Sequence, residues 1–168
     1  KEKILVISDI HIGYEESLNK QGVFIPRFQF EETIKDLKDI LKKAGRIKKI
    51  IILGDLKHEF GSISQQEWNE TIKFLEILEK HCKSIILIKG NHDNILGPIA
   101  SKKKIQVQDY YKFKEYFFCH GNKQFSSAFN KEIKYIFLGH LHPAIALRDD
   151  SKVEKYKCFL VGKEKGKT

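Results

Sequence analysis

The chain has 168 residues, the size of one domain with one core. Hydrophobic residues make up 41% and charged residues 32%. That is polar against a typical ~25% charged, but too rich in Ile, Leu, Val and Phe for a disordered chain. The net charge of +9 suggests an anionic partner, although only Arg27, Arg46 and Arg148 among the 31 cationic residues are arginines, the residue type that reads phosphates and bases in bidentate fashion.

No apolar run approaches the ~20 residues of a membrane span, so no membrane partner is expected, and no signal-peptide pattern opens the chain. Three cysteines without a CxxC pair (Cys82, Cys119, Cys158) argue against a disulfide scaffold or a zinc–thiolate site, and a reducing cytoplasm is the expected compartment. Nothing in the sequence sets an oligomeric state.

In chain order, the first apolar run is Ile4-Leu5-Val6-Ile7. Phe30, Ile34, Leu37, Ile40 and Leu41 then follow a helical period between Pro26 and Gly45. A second run, Ile50-Ile51-Ile52-Leu53, precedes a helix marked by Trp68, Ile72, Leu75 and Leu78, with Ser64 and Glu67 as a capping box. A third run is Ile85-Ile86-Leu87-Ile88. Short β-branched runs without alternation are the mark of strands covered on both faces, so the first ninety residues predict an α/β architecture with a largely parallel sheet.

Beyond them, Lys102-Lys103-Lys104 reads as a loop, and Ile105-Gln106-Val107 with Tyr111 to Phe118 as a hairpin-like pair. A helical turn is expected within 124–134, then strands at Tyr135–Leu138, Ala144–Leu147 and Tyr156–Val161. The aromatic cluster at 110–118 is expected to pack a sheet rather than to stack on bases. The domain is expected over residues 1–162, with 163–168 a disordered or cut tail.

Six of the seven histidines fall where an apolar run ends. Asp9 and His11 follow the first run; Asp55 and His58 follow the second; Asn91, His92 and Asp93 follow the third. His120 follows the aromatic strand, and His140 and His142 follow Tyr135–Leu138. Open α/β sheets form their sites outside the carboxyl ends of the strands. Imidazole and carboxylate without thiolate suits Mn2+, Fe2+, Zn2+, Co2+ or Ni2+. Asp9, His11, Asp55, Asn91, His120, His140 and His142 are seven candidate ligands, too many for one ion with an open position and suited to two ions sharing a carboxylate. His81 ends a Lys/Glu-rich helix, where a cation complements the helix dipole, and stands apart.

Asp-x-His, Gly-Asp-x-x-His, Gly-Asn-His-Asp, His-Gly and Gly-His-x-His, in this order from 9 to 142, resemble the calcineurin-like metallophosphoesterases. Asp9-Ile-His-Ile-Gly-Tyr-Glu with the later Gly22 and Pro26, and Gly-His-Leu-His-Pro143, resemble more narrowly the ligase-associated DNA-damage-response endonuclease-like phosphoesterases of bacteria and archaea. The resemblance implies a four-layer α/β/β/α sandwich with two mixed sheets, and a chain that continues further after His142 than this one does. It implies two divalent transition-metal ions, Mn2+ first. Asp9, His11 and His142 would hold one, Asn91, His120 and His140 the other, and Asp55 would bridge them. His92 would face the leaving oxygen, Asp93 would stand behind His92, and His58 would lie beside the bridge.

The expected activity is phosphodiester hydrolysis by a metal-bridging hydroxide, on a phosphoester substrate that includes DNA or RNA. A phosphomonoesterase or pyrophosphohydrolase acting on a small phosphorylated metabolite is the alternative, and a non-catalytic scaffold on the same fold the second.

Overall fold

A computed structural model describes residues 2–168. The chain runs β1 (Ile4–Ile7), α1 (Tyr14–Lys20), α2 (Gln29–Ala44), β2 (Lys49–Ile52), α3 (Gln65–His81), β3 (Ile85–Ile88), α4 (Gly97–Lys103), β4 (Gln106–Gln108), β5 (Tyr110–Phe113), β6 (Tyr116–Cys119), a 3-10 turn (Ser126–Phe129), β7 (Tyr135–Leu138), β8 (Ala144–Asp149) and β9 (Lys152–Lys157).

Helical crossovers return each of the first four strands in the same direction, so β1-β2-β3-β4 is a parallel sheet. Successive side chains of a strand point to opposite faces. Accordingly Ile50, Ile52, Ile85 and Leu87 pack under α2 and α3, against Leu37, Leu41, Phe74, Leu75 and Leu78. Ile51, Leu53 and Ile88 face the other way, onto Phe118 and the partly buried Tyr111, Phe113 and Tyr116 of a second sheet. Burying one such side chain fully stabilises by about 1.5–3 kcal/mol, which is why runs with no polar position form these strands.

The second sheet, β5-β6-β7, has one antiparallel and one parallel pair. Phe117, Cys119, Ala128 and Ile133 line its outer face, where the 3-10 turn supplies a thin fourth layer. The architecture is thus the expected layered α/β sandwich, with the correction that only the second sheet is mixed.

Register sets the site. Ile7 pairs with Ile52, and Ile52 with Leu87, so Asp9, Asp55 and Asn91 emerge at one level. Cys119 pairs with Leu138, which brings His120 level with His140, and the Gly139 N–H donates to the His120 carbonyl at 2.9 Å.

Several local readings change. Helix α1 lacks an apolar stripe and buries only Ser17, so its period is silent in the sequence. Lys102 and Lys103 end α4, started by Pro98, and Lys103 pairs with Glu76 and Glu79 at 2.8 and 3.4 Å. Strand β4 joins the parallel sheet beside β3; the hairpin closes within the aromatic segment, through Lys114 at φ 54°. β9 covers Lys152–Lys157 because its register is set by the turn after Asp149, and Phe159, Leu160 and Val161 lie exposed outside it. The Thr168 carbonyl accepts from the Ile136 N–H at 2.7 Å. No helix among the described residues is long and apolar enough to cross a membrane.

Candidate metal centre

The seven expected ligands converge at the rim shared by the two sheets. Asp9, His11 and His142 form one group whose donor atoms lie within 4.8 Å of one another, and Asp55, His120 and His140 form another. Asp55 joins the groups: its Oδ2 lies 3.8 Å from His11 Nε2 and 3.1 Å from His120 Nε2. Asn91 Oδ1 lies 3.0 Å from His120 Nε2, and His142 Nε2 lies 3.4 Å from Asp9 Oδ1.

Backbone conformation aims these side chains. Asp9, His11, Asp55, His140 and His142 all sit at positive φ, between 42° and 66°. A non-glycine residue there costs on the order of 1–3 kcal/mol, a strain that clusters at functional sites. Glycines let the loops approach. A Cβ on Gly54, at φ 94°, would lie 2.7 Å from the Gly90 nitrogen and 2.8 Å from His120 Nδ1. A Cβ on Gly90 would collide with the Asp55 carboxylate.

The donor set fits a cation. His120 Nδ1 sits 2.7 Å from the Leu53 carbonyl, so Nδ1 carries the proton. In the neutral ring, the Nε2 lone pair then faces Asp55 Oδ2 and Asn91 Oδ1, three acceptors converging without a proton between them. Either protonation of His120 or a metal ion meets that demand. Burial works to lower the His120 pKa, but the Asp55 carboxylate outweighs it and the net direction is up. Burial works to raise Asp55, but His120 and the His92 N–H hold it below its usual range. His11 is pushed down to about 4, by burial first and by neighbouring imidazoles, against the pull of Asp55. It is thus neutral at pH 7, as a metal ligand must be.

His58 lies beside the candidate ligands. Its Nδ1 is 3.3 Å from His11 Nδ1, a contact that leaves His11 Nε2 toward Asp55. Burial lowers the His58 pKa. His11, His58 and His92 also lie close enough for one ion.

The surroundings of His92 depart from the expected pairing. Asp93 does not back His92. Its carboxylate, 2% exposed, accepts the N–H groups of Asp55 at 2.8 Å, Gly90 at 3.0 Å and Leu56 at 3.1 Å. Asp93 therefore clamps the Asp55 loop to the Asn91 loop; burial raises its pKa, opposed by these amides. The carbonyl of His58 accepts from His92 Nδ1 instead. Phe60, half exposed, lies against His92 with ring centroids 3.7 Å apart.

Sequence reasoning passed over several contributors. Ser8 Oγ donates to Asp9 Oδ2 at 2.6 Å. Glu67 accepts the His58 and Glu59 N–H groups. Lys57 is fully buried, its ammonium donating to the Glu59 carbonyl, and burial lowers its pKa against the surrounding carboxylates. Only the Ser64–Glu67 spacing carried a signal, and it reads locally as a helix cap. Arg27 pairs with Glu16 at 2.5 Å. The aromatic cluster packs the sheet sandwich as expected.

No protein of curated function matches the chain in sequence. Among solved structures, it resembles the nuclease MPE of Pseudomonas putida with a TM-score of 0.65 and 23% identity, over 88% of this chain and 65% of that one. The chain thus spans about two thirds of that nuclease's length. It also resembles an Aquifex aeolicus protein of unknown function, with a TM-score of 0.54 and 21% identity over 84% of this chain and 80% of that one. These likenesses show a shared fold. The family model for calcineurin-like phosphoesterases matches residues 2–142, which take in every candidate ligand, and the chain belongs to that family.

Proposed function

We propose that this chain is a two-metal-dependent phosphodiesterase acting on nucleic acid or nucleotides. The observation that carries the reading is Asp55 Oδ2 lying 3.8 Å from His11 Nε2 and 3.1 Å from His120 Nε2, within reach of both ligand groups, where one carboxylate can serve two cations. The name of the Pseudomonas putida protein, the narrower sequence resemblance and the net charge of +9 support a polyanionic diester as substrate.

Asp9, His11, Asp55 and His142 would hold one divalent ion, and Asn91, His120, His140 and Asp55 the other. Two such ions held there would supply the usual chemistry of a two-metal site, lowering the pKa of an attacking water from 15.7 toward roughly 7 and neutralising phosphoryl charge. The chain's own residues do the rest. The His120 Nδ1–H bond to Leu53 and the His58 contact with His11 hold the ligand rings in the tautomer that presents Nε2. Asp93 keeps the Asp55 and Asn91 loops in register. His92, held through Nδ1 by the His58 carbonyl, would in its doubly protonated form carry a second proton on Nε2 and give it to the leaving oxygen, returning to the neutral ring.

The test is hydrolysis of a nitrophenyl diester and a nitrophenyl monoester by metal-stripped protein, with Mn2+, Mg2+, Zn2+ or Ni2+ restored. The reading predicts metal-dependent turnover that favours the diester, with Mn2+ the preferred ion. Faster monoester turnover under every metal would overturn the diesterase assignment.

A further inference from the structure

Glu67 stands at the third position of α3, where a capping box would turn its carboxylate back to the Ser64 N–H. Only half of that box forms. The Glu67 N–H donates to Ser64 Oγ at 3.0 Å, but Oε1 reaches out of the helix to the His58 N–H at 2.9 Å and the Glu59 N–H at 3.0 Å. The side chain is 1% exposed, and Oε2 is buried without a hydrogen-bond partner among the described residues. Gly13 makes room for it: a Cβ there would lie 3.1 Å from Glu67 Cγ. A buried carboxylate that forgoes its own cap to hold two amides of a loop is holding that loop for a reason. The loop's next contact is the His58 carbonyl, which accepts from His92 Nδ1.

We infer that Glu67 is a positioning residue for His92: it fixes the His58–Glu59 backbone so that the His58 carbonyl holds the imidazole with Nε2 toward the leaving oxygen. The inference rests on the role given to His92 above. The hydrogen bonds of the Glu67 carboxylate go to backbone amides rather than to a candidate ligand's side chain, and its burial keeps it from a substrate.

The test compares a nitrophenyl diester, whose leaving group needs little protonation, with a dinucleotide, whose leaving alkoxide needs much, under saturating Mn2+. Misplacing a reacting group by about 1 Å can cost about 10²-fold. Glu67→Ala is expected to lose about that much on the dinucleotide and only a few-fold on the nitrophenyl ester. Glu67→Gln keeps an oxygen acceptor and is expected to recover most of the dinucleotide rate. In the His92→Ala background, Glu67→Ala is expected to add no further contrast between the substrates. Ser64→Ala, which removes only the cap, lowers the melting temperature without such a contrast. If Glu67→Ala does not fold, Glu67→Asp, which retracts the carboxylate by one methylene, carries the same comparison. Equal losses on both substrates, or a contrast that adds to that of His92→Ala, would overturn the inference. A His92→Ala variant with no leaving-group contrast of its own would instead overturn the role of His92.

Discussion

Replacing Asp93 with Asn separates the clamp seen in the structure from a role behind His92. The carboxylate takes the Asp55 and Gly90 amides on Oδ2 and the Leu56 amide on Oδ1. Asn keeps one acceptor oxygen. With that oxygen at the Oδ2 position, its NH2 group meets the Leu56 N–H, and a buried donor is left unpaired. An unpaired buried donor costs about 1–3 kcal/mol, and each retained bond weakens as its acceptor loses charge. Relief of the carboxylate's desolvation, visible in its raised pKa, offsets part of this. The net expectation is a loss of about 2–3 kcal/mol, well inside a typical stability of about 5–15 kcal/mol. The variant folds, but the Asp55 loop is less well held, and metal affinity falls by about 10–100-fold. Urea unfolding of metal-free protein at pH 7 and a Mn2+ titration measure the two effects. Unchanged stability and metal affinity, with a rate loss confined to poor leaving groups, would refute the clamp and return Asp93 to His92.

His92→Ala is expected to retain metal and to lose about 10²–10⁴-fold on dinucleotides but much less on nitrophenyl esters, read from metal content and turnover. The pKa of His11 falls from 6.5 to about 4 on folding, so between those values the unfolded chain binds more protons. Metal-free protein therefore loses stability as the pH falls through that window, and His11→Ala makes the loss shallower, as urea midpoints at several pH values would show. Gly54→Ala combines a left-handed backbone with a 2.7 Å approach to Gly90 and is expected to cost about 2–4 kcal/mol and the metal site. Gly22→Ala, at φ 86° with open space around it, is expected to cost only about 1 kcal/mol in the same unfolding assay.

The convergence of the candidate ligands was legible because each sits one to four residues beyond a strand, and strand runs such as Ile50-Ile51-Ile52 announce themselves by composition. Parallel register then carries Asp9, Asp55 and Asn91 to one rim without further information. The support around the ligands was not legible. Asp93 reaches the Asp55 amide across 38 positions, and the His92 ring meets a carbonyl 34 positions away. Those partners are backbone groups, which every residue carries, so no side-chain pattern marks them. Glu67 was legible as a cap and not as a loop anchor for the same reason. Helix α1 escaped because it buries almost nothing, and β4 because three exposed or half-buried residues do not reveal which sheet they join.

Anomalous scattering from Mn2+-loaded crystals tests the central claim most directly. The account predicts two peaks per chain, one on each side of the Asp55 carboxylate, one against Asp9, His11 and His142 and the other against Asn91, His120 and His140. A single peak, or a peak held by His11, His58 and His92 away from Asp55, would contradict it.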